Sequence, residues 1–488
     1  MSGETGSDGS PVASRLTPVS APQFLSVADS LSARSSVDEA TDLPIDQLTD
    51  DVSLSETEPA EPDPADAADP ADAAGSADES TAPAAPESVL LLHPRDGLPP
   101  VIDADEPLRR AEQALAAGTG PVAVDAERAS GYRYGQRAYL VQLRREGAGS
   151  FLIDPVGCPD LSGVRQALAG VEWVLHAANQ DLPCLAEVGL VPDALFDTEL
   201  AARLAGHDRV GLGAITEKLL GYRLEKGHSA VDWSTRPLPE PWLRYAALDV
   251  ELLVDLRNAL EADLAAQGKL AWALEEFAAL IDAPVKAPVA EPWRRTSGMH
   301  KVRNRRQLAT VRSLWQTRER VAQRRDIAPG RILPDSAIVE AALAAPADAA
   351  ALTRLPVFSG PRMRRNAEQW WEAIAAAAAL VDTELPRPAG PGNGLPPTNR
   401  WAERDPEAAE RLARARAGLA EISERYRVPV ENLVEPALVR RMTWSPPQPV
   451  TLDTVTATLE DGNARPWQIE LTGPVLTEAL TVPPDGDD

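Results

Sequence analysis

Cysteine is nearly missing from this 488-residue chain: there are two, Cys158 and Cys184, each set among apolar residues. A chain of this length needs no disulfide staples, and so few thiols fit a reducing cytoplasm. Histidine numbers only five, and no Cys/His cluster with zinc-ligand spacing occurs. Aromatic residues make up just 5%. Nowhere is there a run of about 18 apolar residues, nor a basic start followed by an apolar core at the N-terminus. The longest candidate, AIAAAAALV from Ala373, suits a buried helix. No membrane partner is expected.

Acid, by contrast, is plentiful. The formal charge of -26 would exclude a polyanionic partner, until it is apportioned. Residues 1–88 hold 19 acidic side chains and two arginines, a charge of -17, in a composition of Ser, Pro, Ala, Asp and Glu that cannot offset its ordering entropy. That segment is expected to be a disordered tail. Between Trp293 and Glu372 sixteen basic residues face seven acidic ones, a local +9. A basic module is hidden inside an acidic protein.

Hydrophobic content of 44% over this length supports more than one core. From Val101 to Gln267 short apolar runs alternate with helical patterns. PVAVDAE, AYLVQLRR and SFLIDP read as three strands, LSGVRQALAG as a helix and VEWVLHA as a fourth strand. Helices follow around DLPCLAEVG, LFDTELAARLAG and LGAITEKLLGY, and then a long one from Pro241 to Gln267. That order predicts an α/β domain with a mixed sheet covered by helices, over residues 89–282. After a Pro/Ala-rich linker, NRRQLATVRSLWQTRERVAQRRD is a basic amphipathic helix with Leu308, Val311, Leu314 and Trp315 on one face. It opens an all-α domain expected at 292–383. A second linker, PRPAGPGNGLPPTNR, leads to another helical domain at 400–480, less basic and without a matching residue period.

Carboxylates recur at informative places in the α/β domain. In VAVDAE, Asp125 and Glu127 are two apart on a strand, so both project to one side where they repel. Solvation, protonation or a bound cation would relieve them. HAANQD puts Asp181 at the start of a helix, where a capping role also explains it. RYAALDVELL places Tyr245 and Asp249 one helical turn apart amid apolar residues, an environment in which an aspartate needs a partner.

This ordered set, D-x-E on a strand, Asp after a later strand and Y-x-x-x-D on a helix, resembles the DEDD superfamily of 3′-to-5′ exonucleases. The tyrosine marks one subgroup, and HAANQD, DTELAARLAG and YAALDVELL are similar to ribonuclease D over Pro121 to about Gln267. The resemblance implies a ribonuclease H-like mixed sheet, with Asp125, Glu127, Asp181 and Asp249 as ligands of two divalent ions, Mg²⁺ or Mn²⁺. It also implies that Tyr245 positions the attacking water. The chemistry agrees: phosphodiester hydrolysis needs an activated water and a neutralised phosphate, and oxygen-only ligands suit hard cations. One departure is Arg128, which stands where the family resemblance leads us to expect an aromatic, and which would hold the 3′ end by cation-π or phosphate contact.

LEKGHSAVDWSTRPL resembles the family loop before the tyrosine motif, which makes Lys226 and Arg236 candidate nucleic-acid contacts and leaves Trp233 between a contact and the core. The segment with GRILPDSAIVEAA and the paired Trp370 and Trp371 resembles the HRDC module, and the region after Arg400 resembles a diverged second copy. That likeness implies auxiliary nucleic-acid binding, with Arg303, Arg305, Arg306, Arg324 and Arg325 as the phosphate-attracting face. Together these point to a cytoplasmic 3′-to-5′ exoribonuclease acting on RNA with a single-stranded 3′ end, such as a tRNA precursor. A DNA exonuclease and a non-catalytic nucleic-acid scaffold remain alternatives.

Overall fold

The computed structural model describes residues 88–225, 227–228, 230–283, 289–388 and 395–481. The expected acidic tail up to residue 87, Lys226 and parts of both linkers lie outside the described residues. Strand β1 (Val89–Leu91) pairs in parallel with β8 (Tyr222–Leu224). The main sheet has six strands in the order β2 (Val101–Ile102), β5 (Gly149–Ile153), β4 (Ala138–Glu146), β3 (Thr119–Arg128), β6 (Glu172–Leu175) and β7 (Ala194–Asp197). Strands β3, β4 and β5 form an antiparallel meander, while β6 and β7 join β3 in parallel. This is the mixed sheet that the strand pattern predicts.

Eight helices accompany the sheet: α1 (Asp105–Ala117), α2 (Ser162–Ala167), α3 (Leu182–Glu187), α4 (Thr198–Ala205), α5 (Leu212–Leu220), α6 (Glu240–Glu251), α7 (Leu253–Ala266) and α8 (Leu270–Ile281). Alternation along β3 and β4 divides their side chains between two faces. Val122, Val124, Ala126, Val141 and Leu143 enter the main core with Leu108 and Leu115 of α1. On the opposite face Leu140 and Leu152 pack against Ala246 and Ala247 of α6, and that same face carries Asp125 and Glu127.

Two expectations need correction here. The helix expected from Pro241 to Gln267 is interrupted at Leu252 (φ -114°, ψ 2°), giving α6 and α7. Glu251, just before the break, is drawn into ion pairs with Arg95 and Arg144, whereas the apolar periodicity runs through the interruption and gives no sign of it. Strand β7 takes in Leu195, Phe196 and Asp197, expected to be helical together with Thr198–Ala205, because the sheet supplies β6 as a parallel partner. Asp197 then caps α4, accepting from the amides of Glu199 and Leu200.

The first helical bundle comprises α9 (Arg305–Arg325), α10 (Pro329–Ile332), α11 (Asp335–Ala344), α12 (Ala349–Thr353), α13 (Pro361–Arg365) and α14 (Ala367–Ala379). Its core joins Leu308, Val311 and Leu314 of α9 to Ile338, Phe358 and Trp370. The second comprises α15 (Trp401–Arg404), α16 (Pro406–Tyr426), α17 (Val430–Leu433), α18 (Pro436–Trp444), α19 (Leu452–Asp461) and α20 (Pro466–Thr481). Helices α9, α10 and α11 begin 101 residues before α16, α17 and α18 respectively, and α9 and α16 are both 21 residues long. A residue period that the sequence hides is therefore present in the structure.

Both bundles dock on the α/β domain. Trp467 stacks on Trp272 with ring centroids 5.0 Å apart, and its indole nitrogen donates to Glu276 at 3.0 Å. Lys269, almost fully buried, donates to the carbonyls of Leu204 (2.8 Å) and Tyr426 (2.5 Å). Gly206 has φ +80°, and a Cβ there would stand 2.6 Å from the Arg427 carbonyl, so this contact requires glycine. The first bundle grips the loop that follows β3: Ala328 N donates to Tyr132 O at 2.9 Å, and Arg331 donates to Gly131 O at 2.7 Å. Tyr134 packs on the bundle core and accepts from Gln323 at 2.8 Å.

Candidate active site

Strand β3 delivers Asp125 and Glu127 to the face covered by α6, and α6, which has Pro241 in its first turn, brings Tyr245 and Asp249 to the same acids. Carboxylate oxygens of Asp125, Glu127 and Asp249 all lie within 4.8 Å of one another. The β3–β4 ladder slips immediately after Glu127, leaving Tyr139 without a partner. Such a bulge bends the strand end and re-aims what it carries.

Asp181 occupies the N-cap position of α3, yet its side chain makes no capping hydrogen bond. Capping therefore does not account for it. The turn that carries Asp181 is held by Asp197, whose carboxylate accepts from Ala177 N (3.1 Å) and Ala178 N (2.9 Å), with Ala177 in the left-handed region at φ 60°. Among the described residues Asp181 lies outside the tight triangle, but it shares its electrostatics.

Burial raises every acid here, and at Glu127, Asp181 and Asp249 repulsion from Asp125 adds to it. Asp125 is pushed up to about 6 by burial, against an opposing amide hydrogen bond and the charge of Arg128. Asp181 reaches about 8, through burial and then the charge of Asp125. Glu127 and Asp249 are held well above the usual carboxylate range, again by burial first and Asp125 second. The Tyr245 hydroxyl bonds Asp249, and burial with the nearby carboxylates keeps it protonated far above its ordinary range. An all-oxygen set that is costly as bare carboxylates fits hard divalent cations well.

The remaining candidates divide sharply. Arg128 is half-buried beside the acids, and its charge lowers Asp125, Glu127 and Asp181. Arg236, expected to touch nucleic acid, is instead structural: it bonds Asp154 through two nitrogens at 2.7 and 2.8 Å and donates to the carbonyls of Trp233, Thr235 and Tyr139. It braces the bulge at Tyr139. Trp233 is wholly buried in the core. His176 donates or accepts at Thr198 Oγ1 (2.9 Å), and burial followed by the charge of Arg203 lowers it to about 4, so it serves as a packed neutral imidazole.

In the first bundle Arg305 bonds the carbonyls of Asp382, Leu385 and Pro386, and Arg306 bonds Ala378 O, Leu380 O and Asp382. Arg306 fastens the end of α14, where helix carbonyls attract cations, and Arg305 the segment that follows it, so bonds within the bundle engage two arginines expected on the binding face. Arg303, Arg324 and Arg325 are exposed, with no side-chain partner among the described residues. Sequence reading missed Arg331, Arg362 and Arg365: partial burial and the charges of Arg325, Arg331 and Arg365 lower the pKa of Arg362, which marks a guanidinium cluster. Arg331 also stacks 4.1 Å over the Tyr132 ring, next to the loop leading from Glu127. Four scattered positions meet only through packing of α9, α10 and α13, so no local motif announces them. Asp197 was legible in principle, as an Asp between an apolar run and a helix.

Comparison with known proteins gives three family profiles: 3′-5′ exonuclease over residues 99–265, HRDC domain over 307–374, and 3′ to 5′ exonuclease C-terminal domain over 394–480. The last is a different profile from the HRDC likeness expected of the second bundle. Ribonuclease D of Jannaschia sp. is 33% identical over 287 residues, which are 56% of this chain and 72% of that protein. Ribonuclease D of Acidiphilium cryptum is 40% identical over 242 residues, 48% of this chain, and the match spans only 61% of that relative. Among solved structures, a Bifidobacterium adolescentis protein aligns with a TM-score of 0.76 at 38% identity, covering 81% of this chain and all of that one. Escherichia coli RNase D, described as an exoribonuclease involved in structured RNA processing, aligns with a TM-score of 0.59 at 26% identity, covering 78% and 98%. With the acid set, the mixed sheet and relatives matched over most of their length, the chain belongs to the ribonuclease D family.

Proposed function

We propose that this chain is a metal-dependent 3′-to-5′ exoribonuclease of the cytoplasm that trims RNA with a single-stranded 3′ end, structured precursors such as those of tRNA being the leading substrates. The observation that carries the reading is the carboxylate triangle of Asp125, Glu127 and Asp249 with Tyr245 against it. Asp125, Glu127, Asp181 and Asp249 would hold two divalent ions, Mg²⁺ or Mn²⁺. When bound, these ions supply the positive charge that makes water a nucleophile and offsets charge on the phosphate. Tyr245, being protonated throughout the physiological range, donates its one proton to Asp249 and orients the water through its oxygen lone pairs, without acting as a base. Arg128 adds a fixed positive charge at the edge of the acids, where the terminal phosphate would approach.

The grip on longer RNA comes from the first bundle, which we read as the HRDC domain of residues 292–383. Its guanidinium cluster of Arg325, Arg331, Arg362 and Arg365, with exposed Arg324 and Arg303, attracts phosphates. The second bundle, over 400–480, reads as a diverged copy, supported by the shared 101-residue displacement. Among the described residues no helix is long and apolar enough to cross a membrane, and Cys158 and Cys184 are free and buried, which supports the cytoplasmic assignment. The test is incubation of the purified protein with 3′-labelled RNA and sequence-matched DNA in Mg²⁺, Mn²⁺ or chelator. Stepwise shortening of RNA from the 3′ end only with a divalent ion is expected; cleavage in chelator, or of DNA alone, defeats the proposal.

A further inference from the structure

Gln142 presents an unusual account of polar atoms. Its side chain is 0% exposed, and neither the amide nitrogen nor the amide oxygen has a hydrogen-bond partner. A buried amide with both functions unmet is costly, and in native interiors it calls for an explanation. Gln142 stands on β4 directly across from Asp125 of β3, and on its other side across from Leu152 of β5. Residues opposed in an antiparallel pair share a face, with Cβ atoms about 4.5–5.5 Å apart. Gln142 therefore shares its face with Asp125, Leu152 and the strand neighbours Leu140 and Arg144, and on that face Leu140 and Leu152 pack against Ala246 and Ala247 of α6.

Only two of these neighbours are polar. Arg144 is already committed to Asp96, Ser150 and Glu251. Asp125 is engaged by the amide of Ala126 but by no side chain. An ionised carboxylate has about four lone-pair sites, enough to serve a cation and a side-chain donor together. Ligating carboxylates are characteristically held by such an outer hydrogen bond, which fixes the direction of the ligand oxygen.

We infer that Gln142 is a positioning residue of the metal site: its buried amide, unmet without the cation, turns to donate to the Asp125 carboxylate when the cation binds and so fixes the direction of the ligand oxygen. The inference rests on the metal reading of the acid cluster. It gives the orphaned amide a use that packing does not, since Leu or Met would fill the same space without the desolvation cost. Gln142 contacts neither substrate nor cation, and acts through Asp125 alone.

The full-length protein and Gln142→Met, a swap of similar volume, are compared by thermal melting in chelator and by Mn²⁺ titration of the melting shift and of calorimetric heat. In chelator Gln142→Met should melt at or above the wild-type temperature, because an unmet polar group has been removed. Its Mn²⁺ affinity should be weaker by about 10- to 100-fold. Equal Mn²⁺ affinity in the two proteins overturns the positioning role. So does a variant that melts lower in chelator by as much as it loses in Mn²⁺ response, since that is a packing defect. If Gln142→Met fails to fold, Gln142→Leu is measured in the same way. Failure of the underlying metal reading looks different: the wild type itself would then show no saturable Mn²⁺ response.

Discussion

Removing the divalent ions should make this protein lose stability as pH rises, opposite to the usual acid lability of salt-bridged proteins. Asp125 and Asp181 are raised from 3.8 to about 6 and about 8, so the folded state binds protons that the unfolded chain has already released. Their contribution is fully present below the unfolded value near 4 and is lost as pH rises through the folded values, a window of roughly pH 4 to 8. For Asp125 alone the difference between 3.8 and about 6 corresponds to about 3 kcal/mol. The acids titrate together, so this figure belongs to the cluster and is not summed residue by residue. The part of it lost above pH 5, about 1.4 kcal/mol, corresponds for a domain of this size to a fall in melting temperature of roughly 3–6 °C between pH 5 and pH 8.

Asp197 and Glu251 are raised in the same direction by burial, so the informative quantity is a difference between proteins. Asp249→Asn removes one charge from the triangle while leaving Asp197 and Glu251 in place. In chelator the variant should show a shallower pH dependence than wild type and should melt higher at pH 8. It should also lose the Mn²⁺-induced rise in melting temperature and at least about 10³-fold in RNA cleavage, because a ligand is gone. Melting in chelator followed by scanning calorimetry at pH 5, 6, 7 and 8 decides it. Parallel pH profiles for wild type and Asp249→Asn would refute the claim that these carboxylates repel across a shared site.

Tyr245→Phe should retain Mn²⁺ binding and lose about 10²-fold in turnover, read from single-turnover cleavage against a Mn²⁺ melting titration. Arg236→Ala should destabilise the α/β domain by about 3–5 kcal/mol, since it strands buried Asp154; Asp154 is held low by Arg236 despite burial, so that loss should shrink as pH falls below about 4. The folded fraction of the same variant should bind RNA as wild type does, which a chelator-stalled filter-binding assay checks. Replacing Arg325 and Arg362 by Gln should lower the log-log salt slope of RNA binding by about 1.4, at about 0.7 for each single-strand phosphate contact, whereas Arg305→Gln should leave the slope alone and lower the melting of the helical bundle.

The acid motif was readable because each of its parts is local: two residues on a strand, one at a turn, and two a helical turn apart. The strand and helix periods alone decide which way such side chains point. What stayed hidden depends on partners distant in the chain. Arg236 and Arg305 look like available cations in sequence, and only Asp154, 82 residues away, and the carbonyls after α14 show them to be spent. Gln142 reads as one polar residue in an apolar strand, and its significance appears once Asp125 is found across the ladder. The break at Leu252 is invisible because the apolar period runs through it, and the partners of the neighbouring Glu251, Arg95 and Arg144, lie in other elements.

The two bundles extend the same reasoning to domain placement. Asp326 and Arg427 end the long helices α9 and α16, 101 residues apart, and both adopt the left-handed conformation, with φ 47° and 51°. Each marks the corner by which its bundle meets the α/β domain. Asp326 accepts from Tyr134 N at 3.2 Å, in the loop that leaves the active-site strand. Arg427 lies against Gly206 and reaches Gln267 at 3.4 Å, at the ends of α4 and α7. One corner geometry thus serves two surfaces, and charge follows position. The bundle at the active-site loop carries +9 between Trp293 and Glu372. The bundle at α4 has nine basic and thirteen acidic residues between Trp401 and Thr481, and it contributes Ile422, Val428, Leu433 and Trp467 to the main hydrophobic core. The exposed arginines thus lie on the bundle that meets the loop leaving β3, and the bundle of like helical layout at α4 is given over to packing.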